Sequence, residues 1–177
     1  TSMESFQHIK QRLKGVSNIA QITKAMELVA ATKMRRSQEI ALHSRPYAYS
    51  ALDLLKTLSE LEADDATPPL LRARPVRHTA IVVVASDKGL AGSFNSAVFR
   101  RIESYARPEE LRMHSYIAVG KKALQFLEKK QWRIEKTFLR IGDYTSVEEV
   151  SPISDFLVAG FLEKKWDCVR VFSTHFK

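Results

Sequence analysis

A ten-residue loop, residues 86–95, has the position and composition in which many proteins bind phosphate groups. It reads SDKGLAGSFN, follows a continuous apolar run and precedes a helical pattern, which is where doubly wound α/β folds hold nucleotides. Its glycines, Gly89 and Gly92, have neither the Gly-x-Gly-x-x-Gly spacing of dinucleotide folds nor the lysine-terminated spacing of a phosphate loop. We therefore predict a tight structural turn fixed by Asp87, Gly89, Gly92 and Asn95, with no bound cofactor.

The other reactive side chains do not group into a catalytic or metal centre. The five histidines are scattered along the chain, and the single cysteine, Cys168, excludes an internal disulfide and any multi-cysteine metal site. Ser93 lacks the glycine two residues later that a nucleophile elbow requires. Asp143 and the pair Glu148-Glu149 fit solvated charges or acids at a helix N-terminus better than a general acid and base. The sequence predicts no catalytic residue and no metal ligand.

The elements around the loop alternate between short apolar strands and helical segments. Strands are predicted at 80–85, 115–119, 133–139 and 168–172, and helices at 95–106, at 121–130 and from Ser151-Pro152 onward. This alternation is typical of right-handed crossovers between parallel strands. The predicted fold class is α/β: a long N-terminal coiled-coil helix plus a small three-layer α/β/α (Rossmann-like) domain with a mainly parallel sheet.

Composition divides the chain into three parts. Residues 1–61 are predicted to form a long shaft helix, kinked or interrupted near 45–46 because Pro46 lacks an amide proton and disfavours helical geometry at Arg45. Residues 62–75 form an acidic, proline-containing linker. Residues 76–177 form the α/β domain.

The first helix has an apolar row along its length. Phe6, Ile9, Leu13, Val16 and Ala20 follow the 3,4,3,4 spacing of a coiled-coil seam. A second row, displaced by one position, continues it with Ile19, Ile22, Met26 and Val29. Because typical globular helices are much shorter, we interpret this segment as a shaft rather than a core helix.

Charge indicates acidic partners. The chain of 177 residues has a formal net charge of +8, and its first 45 residues carry eight basic and three acidic side chains. Nucleic acid, anionic lipid and acidic protein surfaces all fit this charge. Nucleic acid is disfavoured because aromatic residues for base stacking are sparse on the helix. No run of about 18 apolar residues is present, so no transmembrane span is predicted.

Two segments resemble the gamma subunit of F-type ATP synthases. The helix from Ile9 to Arg36, with the Gln21-Ile22-Thr23-Lys24-Ala25-Met26 motif at its centre, is similar to that family's N-terminal helix. The loop at 86–95 is similar to the family's Ser-Asp-Arg-Gly-Leu-Cys-Gly-x-x-Asn segment, with Ala91 where the family often has cysteine. The resemblance extends over essentially the whole chain, and both motifs occur in the expected order.

The resemblance implies a central-stalk rotor that is not an enzyme by itself. The family's N-terminal helix pairs with a C-terminal helix inside a ring of alpha and beta subunits, and its α/β domain sits with the epsilon subunit on the c-ring. Rotation of the ring cycles the catalytic beta subunits. Membrane contact would be indirect, through the c-ring, on the cytoplasmic face of a bacterial plasma membrane or the matrix side of the mitochondrial inner membrane.

Specific contacts are also implied by the resemblance. Thr23, Lys24 and Met26 correspond to the region facing the acidic loop and catch region of beta. Lys33, Arg35 and Arg36 correspond to a collar above the c-ring. Lys10 and Lys14 add exposed charge that steers a partner without locking it. For Met26, packing in the coiled-coil seam is an equally open interpretation.

The chain departs from the family in one major respect. It ends after the strand at 168–172, whereas the family continues into its second shaft helix. The chain is therefore either a fragment or covers its seam with another chain, and an isolated copy is expected to self-associate through Leu13, Val16, Ile22 and Met26. Two other functional classes remain: a basic docking module for nucleic acid or an anionic membrane, and a small nucleotide-binding enzyme using the loop at 86–95.

Overall fold

The N-terminal segment is one α-helix, α1, Phe6–Glu60, of 55 residues. A computed structural model describes residues 6–60, 68–72 and 74–175. The helix would extend about 80 Å at 1.5 Å per residue, and none of its residues is buried. Strong helix formers along this segment explain its continuity. The prediction of a long N-terminal helix is confirmed.

The helix continues through Pro46, so of the two outcomes expected at 45–46 the interruption is wrong, while the kink stays a prediction. Proline removes one backbone donor and clashes with the preceding turn, at a cost of about 3 kcal/mol. Helix-forming residues on both sides offset that local loss. The chain divides into two compact units, Thr1–Ala51 and Leu52–Lys177. Half of the linker predicted at 62–75, residues 62–67 and 73, lies outside the described residues, and the predicted division into three parts stays a prediction.

The second part is a parallel four-stranded sheet with helices on both faces, which confirms the predicted fold class. Its elements are β1 (Thr79–Val84), α2 (Phe94–Tyr105), a 3-10 helix (Pro108–Met113), β2 (His114–Val119), α3 (Lys121–Lys129), β3 (Ile134–Phe138), α4 (Val147–Leu162) and β4 (Cys168–Phe172). All pairings are parallel, in the order β3-β2-β1-β4. The connections from β1 to β2 and from β2 to β3 add strands on one side of β1, whereas the connection from β3 to β4 places β4 on the opposite side of β1. This order places α2 and α3 on one face of the sheet and α4 on the other.

Alternation along β1 and β2 builds a core on each face of the sheet. On one face, Ile81, Val83, Tyr116 and Ala118 pack with buried residues of α2 and α3. On the other, Ala80, Val82, Ile117 and Val119 pack around Trp166 and the apolar side of α4. Both central strands are buried along nearly their whole length, as their continuous apolar sequences predict.

One local prediction needs correction, and one short element was missed. Helix α4 begins at Val147 rather than at Ser151, so Pro152 lies inside it. The reason is a cap: Glu149 accepts a hydrogen bond from the backbone N–H of Ser146 at 3.0 Å, which stabilises an earlier helix start. The short 3-10 helix was not predicted. Within the described ranges, no helix is long and apolar enough to cross a membrane.

Candidate functional site

The surface of α1 is the first candidate site, because its apolar row is exposed. The residues of the row are between 52% and 81% exposed; they are Phe6, Ile9, Leu13, Val16, Ile19, Ile22, Met26 and Val29. Apolar surfaces of this extent are typical of sites that bind another protein or a membrane. The seam predicted from sequence spacing is therefore present as a continuous exposed row.

The predicted contact residues around Met26 point to different sides of α1. Lys24 and Met26 are two residues apart, about 200° around an axis with 3.6 residues per turn. The Lys24 Nζ lies 2.9 Å from Glu27 Oε2, with both side chains about two-thirds exposed. The Thr23 hydroxyl donates to the Ile19 carbonyl at 2.8 Å. One flat partner surface could not contact Lys24 and Met26 together.

The basic group further along α1 shares one acidic partner. Arg35 Nε lies 3.4 Å from Glu39 Oε1 and Arg36 Nη1 lies 3.3 Å from Glu39 Oε2. Lys33 is half-buried. Such exposed pairs contribute roughly 0 to 1 kcal/mol each, so the arginines can exchange Glu39 for a partner's carboxylate at little cost.

Lys10 and Lys14 are exposed and one helical turn apart. The predicted contacts therefore extend from residue 10 to residue 36, about 39 Å along the axis at 1.5 Å per residue. They form an extended surface rather than a pocket. The structure brings Thr23 and Met26 to one side of the helix, and Lys10 and Lys14 to one side, but does not gather all eight residues together.

The loop at 86–95 is the second candidate site, and hydrogen bonds close its base. Asn95 Oδ1 accepts from the Ser86 backbone N–H at 3.0 Å, and Asn95 Nδ2 donates to Ser86 Oγ at 2.8 Å. The Ser86 hydroxyl also lies 2.6 Å from the Lys88 carbonyl, to which it donates. These contacts join the end of β1 to the start of α2. They support the predicted structural role of Asn95.

Asp87 caps the N-terminus of α3, the helix that follows the neighbouring strand β2. Its Oδ1 accepts a hydrogen bond from the Lys121 backbone N–H at 2.8 Å, at the first residue of α3. Helix N-termini attract anions, and here the chain supplies its own carboxylate. Asp87 therefore ties the loop to α3, which favours a structural role for this residue.

An open trough of about 890 Å³ lies beside the loop, at the carboxyl edge of the sheet. Its charged lining has both signs, including Lys88 and Lys121 with Asp87, Glu128 and Asp143. A phosphate site needs converging donors and one dominant sign of charge. Across the described part of the chain, no three His, Cys, Asp or Glu side chains are placed to hold a metal ion.

The glycines of this region differ in what they require. Gly92 has φ +53° and so adopts a left-handed conformation that favours glycine. Gly89 does not, and a Cβ there would make only an ordinary contact with Lys122. The left-handed residue beside it is Leu90, with φ +61° and a side chain 94% exposed. The predicted conformational need is therefore present at Gly92 and absent at Gly89.

Gly120 is a structural residue that sequence reasoning did not single out. It has φ +93°, and a Cβ there would overlap the Ala85 carbonyl oxygen. Its N–H donates to the Phe138 carbonyl at 2.9 Å. The sequence signal that could have identified it is a glycine placed directly between a predicted strand and a predicted helix. Gly120 lets the end of β2 pass directly against the chain leaving β1.

Acidic residues at the start of α4 act as helix-terminal charges, as predicted. Glu148 and Glu149 lie in the first turn. A hydrogen bond from its own backbone amide, and then one from Ser146, lower the pKa of Glu148. Glu149 Oε1 accepts from the Gly142 N–H at 3.2 Å. These carboxylates stabilise a turn and a helix end.

Fold and surface together define a class: proteins that present a long, exposed, basic helix joined to a small parallel α/β unit. The chain belongs to the ATP synthase family, whose model matches residues 5–177. The ATP synthase gamma chain of Rippkaea orientalis is 37% identical over 98% of this chain, and that of Roseiflexus castenholzii is 36% identical over the same share. The chain spans 56% and 61% of these two relatives.

Two solved structures have a similar fold. The mitochondrial ATP synthase central stalk and c-ring of Tetrahymena thermophila matches 88% of this chain and 66% of its own, with a TM-score of 0.68 and 24% identity. The rotor of the Euglena gracilis mitochondrial ATP synthase matches 92% of this chain and 54% of its own, with a TM-score of 0.58 and 16% identity.

Proposed function

We propose that the chain is the N-terminal helix and α/β portion of a central-stalk rotor subunit in a proton-translocating F-type ATP synthase. The observation that carries this proposal is the exposed surface of a 55-residue helix in a chain whose relatives are gamma chains. Its partners would be the alpha and beta subunits around the helix, with the epsilon subunit and the c-ring at the α/β unit. The complex would be peripheral on a membrane, facing the bacterial cytoplasm or the mitochondrial matrix.

The surface of α1 suits a part that turns inside a ring. Contacts that must be broken at every step should be shallow, because a buried ion pair that loses one partner costs about 3 to 5 kcal/mol. The pairs around Lys24, Arg35 and Arg36 are exposed instead. Because each side of the helix differs, each surrounding subunit meets a different surface at a given angle. A helix surface that contacts one conformation of a surrounding subunit better than another shifts that subunit toward the favoured conformation.

In this function the chain has no catalytic residue and no cofactor of its own. Lys24 and Met26 would be coupling contacts with the beta subunits, while Lys33, Arg35 and Arg36 would contact the collar above the c-ring. ATP chemistry would take place in beta. The basic docking module for nucleic acid has no specific observation in its favour, since the helix's charge and apolar row both fit a protein ring.

Removal of the Lys24 charge tests the proposal. In the full-length parent assembled with alpha and beta, Lys24→Gln should change the protons moved per ATP while leaving stability nearly unchanged, because an exposed pair contributes about 1 kcal/mol or less. Lys56→Gln, at an exposed position outside the predicted contacts, is the matched control. A parent protein that does not co-purify with alpha and beta would refute the rotor function.

Salt dependence and calorimetry separate the other classes. A docking module for nucleic acid should bind DNA or RNA with an affinity that falls steeply with salt. A nucleotide enzyme should release or absorb heat on titration with ATP or NAD. Neither result is expected for a rotor subunit whose loop at 86–95 lacks the glycine spacing of a nucleotide site.

A further inference from the structure

The chain that leads from α1 into β1 is held by an arginine at residue 74. Arg74 Nη2 donates to the Phe161 carbonyl at 2.8 Å and also to the Trp166 carbonyl. Its guanidinium lies 3.9 Å from the centre of the Phe161 ring. Arg74 Nε lies 2.9 Å from Asp167 Oδ1, an ion pair without hydrogen-bond alignment. One side chain thus joins the incoming chain to the end of α4 and the start of β4.

Asp167 binds the backbone of the same segment, three to four residues after Arg74. Its Oδ2 accepts from the backbone N–H groups of Arg77 and His78 at 3.0 and 3.1 Å. Its own N–H donates to the His78 carbonyl at 2.7 Å. The Arg74 and Asp167 side chains are only 24% and 16% exposed. Partial burial makes such charge-assisted hydrogen bonds stronger than surface pairs.

The Arg74–Asp167 cluster rests on the core of the α/β unit. Trp166 is 1% exposed, and its indole N–H donates to the Leu157 carbonyl at 3.0 Å. The covalent path from Glu60 to Thr79 passes through the cluster immediately before β1 begins. Force along this path would reach Arg74, Arg77 and His78 before it reached the hydrogen bonds that pair β1 with β2 and β4.

We propose that Arg74 and Asp167 anchor this path, so that force passed between α1 and the α/β unit is received by α4 and β4 rather than by β1 alone. Arg74 and Asp167 are positioning residues in this scheme. The inference rests on the proposed rotor function, since only a rotor requires this path to withstand torque. Loss of the Arg74 and Asp167 contacts would leave the sheet folded and make the chain between α1 and β1 more flexible.

Hydrogen exchange tests the anchor directly in this chain. In Asp167→Ala the amides of Arg77 and His78 should exchange at least tenfold faster, while amides in the middle of β1 keep their rates. Asp167→Asn should give an intermediate effect, because one amide oxygen can still accept. Glu163→Gln, which breaks the half-exposed pair with Lys165, is the matched control and should change neither amide. Unchanged exchange in Asp167→Ala would overturn the anchor.

Coupling in the assembled complex tests its mechanical role. With Arg74→Gln or Arg74→Lys in the full-length parent, ATP hydrolysis should persist while proton pumping per ATP falls at least twofold. Pumping at the wild-type ratio in a variant whose Arg77 and His78 amides have lost protection would refute the proposal. If even the wild-type parent fails to assemble with alpha and beta, the rotor function fails instead, and the exchange experiment still decides whether the anchor exists.

Discussion

The contact between Gly160 and Trp166 offers a sharp test of the core on the α4 side of the sheet. Gly160 is the buried residue of α4, and the six-membered ring of the Trp166 indole packs directly against it. A Cβ at this position would lie 2.5 Å from Trp166 Cε2 and closer still to Cζ2 and Cη2. Gly160→Ala therefore cannot be accommodated unless the ring or the helix moves.

The size of the effect follows from what the ring would lose. Displacing a buried tryptophan approaches the 3 to 5 kcal/mol typical of its removal from a core. Replacement of a helical glycine by alanine returns about 1 kcal/mol. We expect Gly160→Ala to lower the free energy of unfolding of the α/β unit by about 2 to 4 kcal/mol.

Urea unfolding followed by Trp166 fluorescence measures this change. Both proteins should carry Trp132→Phe, so that Trp166 is the remaining tryptophan. With a typical urea slope of about 1 to 3 kcal/mol per molar, the midpoint should fall by roughly 1 M or more. Gly15→Ala is the matched control: Gly15 has open space around it, so helix content should rise. An unchanged or higher midpoint in Gly160→Ala would refute the packing argument.

Three further outcomes are expected. Gly120→Ala should destabilise the α/β unit in urea by about 2 kcal/mol or more, through its left-handed backbone and overpacking, whereas Gly89→Ala should change it by less than about 0.5 kcal/mol. Equal losses of stability in Gly120→Ala and Gly89→Ala would contradict the difference in backbone geometry between the two glycines. Leu90→Gly should raise the thermal midpoint slightly, because glycine adopts φ +61° without strain; a fall would argue against it. Hydrogen bonds from the Arg77 and His78 amides, and then the Arg74 charge, hold the pKa of Asp167 below its ordinary value. Its stabilising contribution is therefore present above that ordinary value and lost as pH falls through the lowered pKa. The protection of these two amides, measured relative to their intrinsic exchange rates because those also fall in acid, should persist until pH is below about 3.9. Loss of protection at a higher pH would contradict this.

The elements of this protein could be predicted from residue types that act locally. A proline-poor, alanine-rich segment predicts the long helix, and continuous apolar runs predict β1 and β2 to within a residue. The exposed row on α1 follows from its 3,4 spacing, because helical periodicity alone decides which side chains share a face. Local sequence also marks the loop at 86–95, where Asn95 accepts a hydrogen bond from the Ser86 backbone N–H.

Contacts between distant residues decided the rest, and no local pattern contains them. Arg74 meets Asp167 only because the sheet order places β4 beside β1. Gly120 is required by the approach of the Ala85 carbonyl, and Gly160 by the ring of Trp166. The sequence by itself determined which segments are helices and strands, since propensity and periodicity depend on neighbouring residues. Only the tertiary structure decided which glycines and charges are indispensable, because that depends on which backbone atoms come within van der Waals distance after folding.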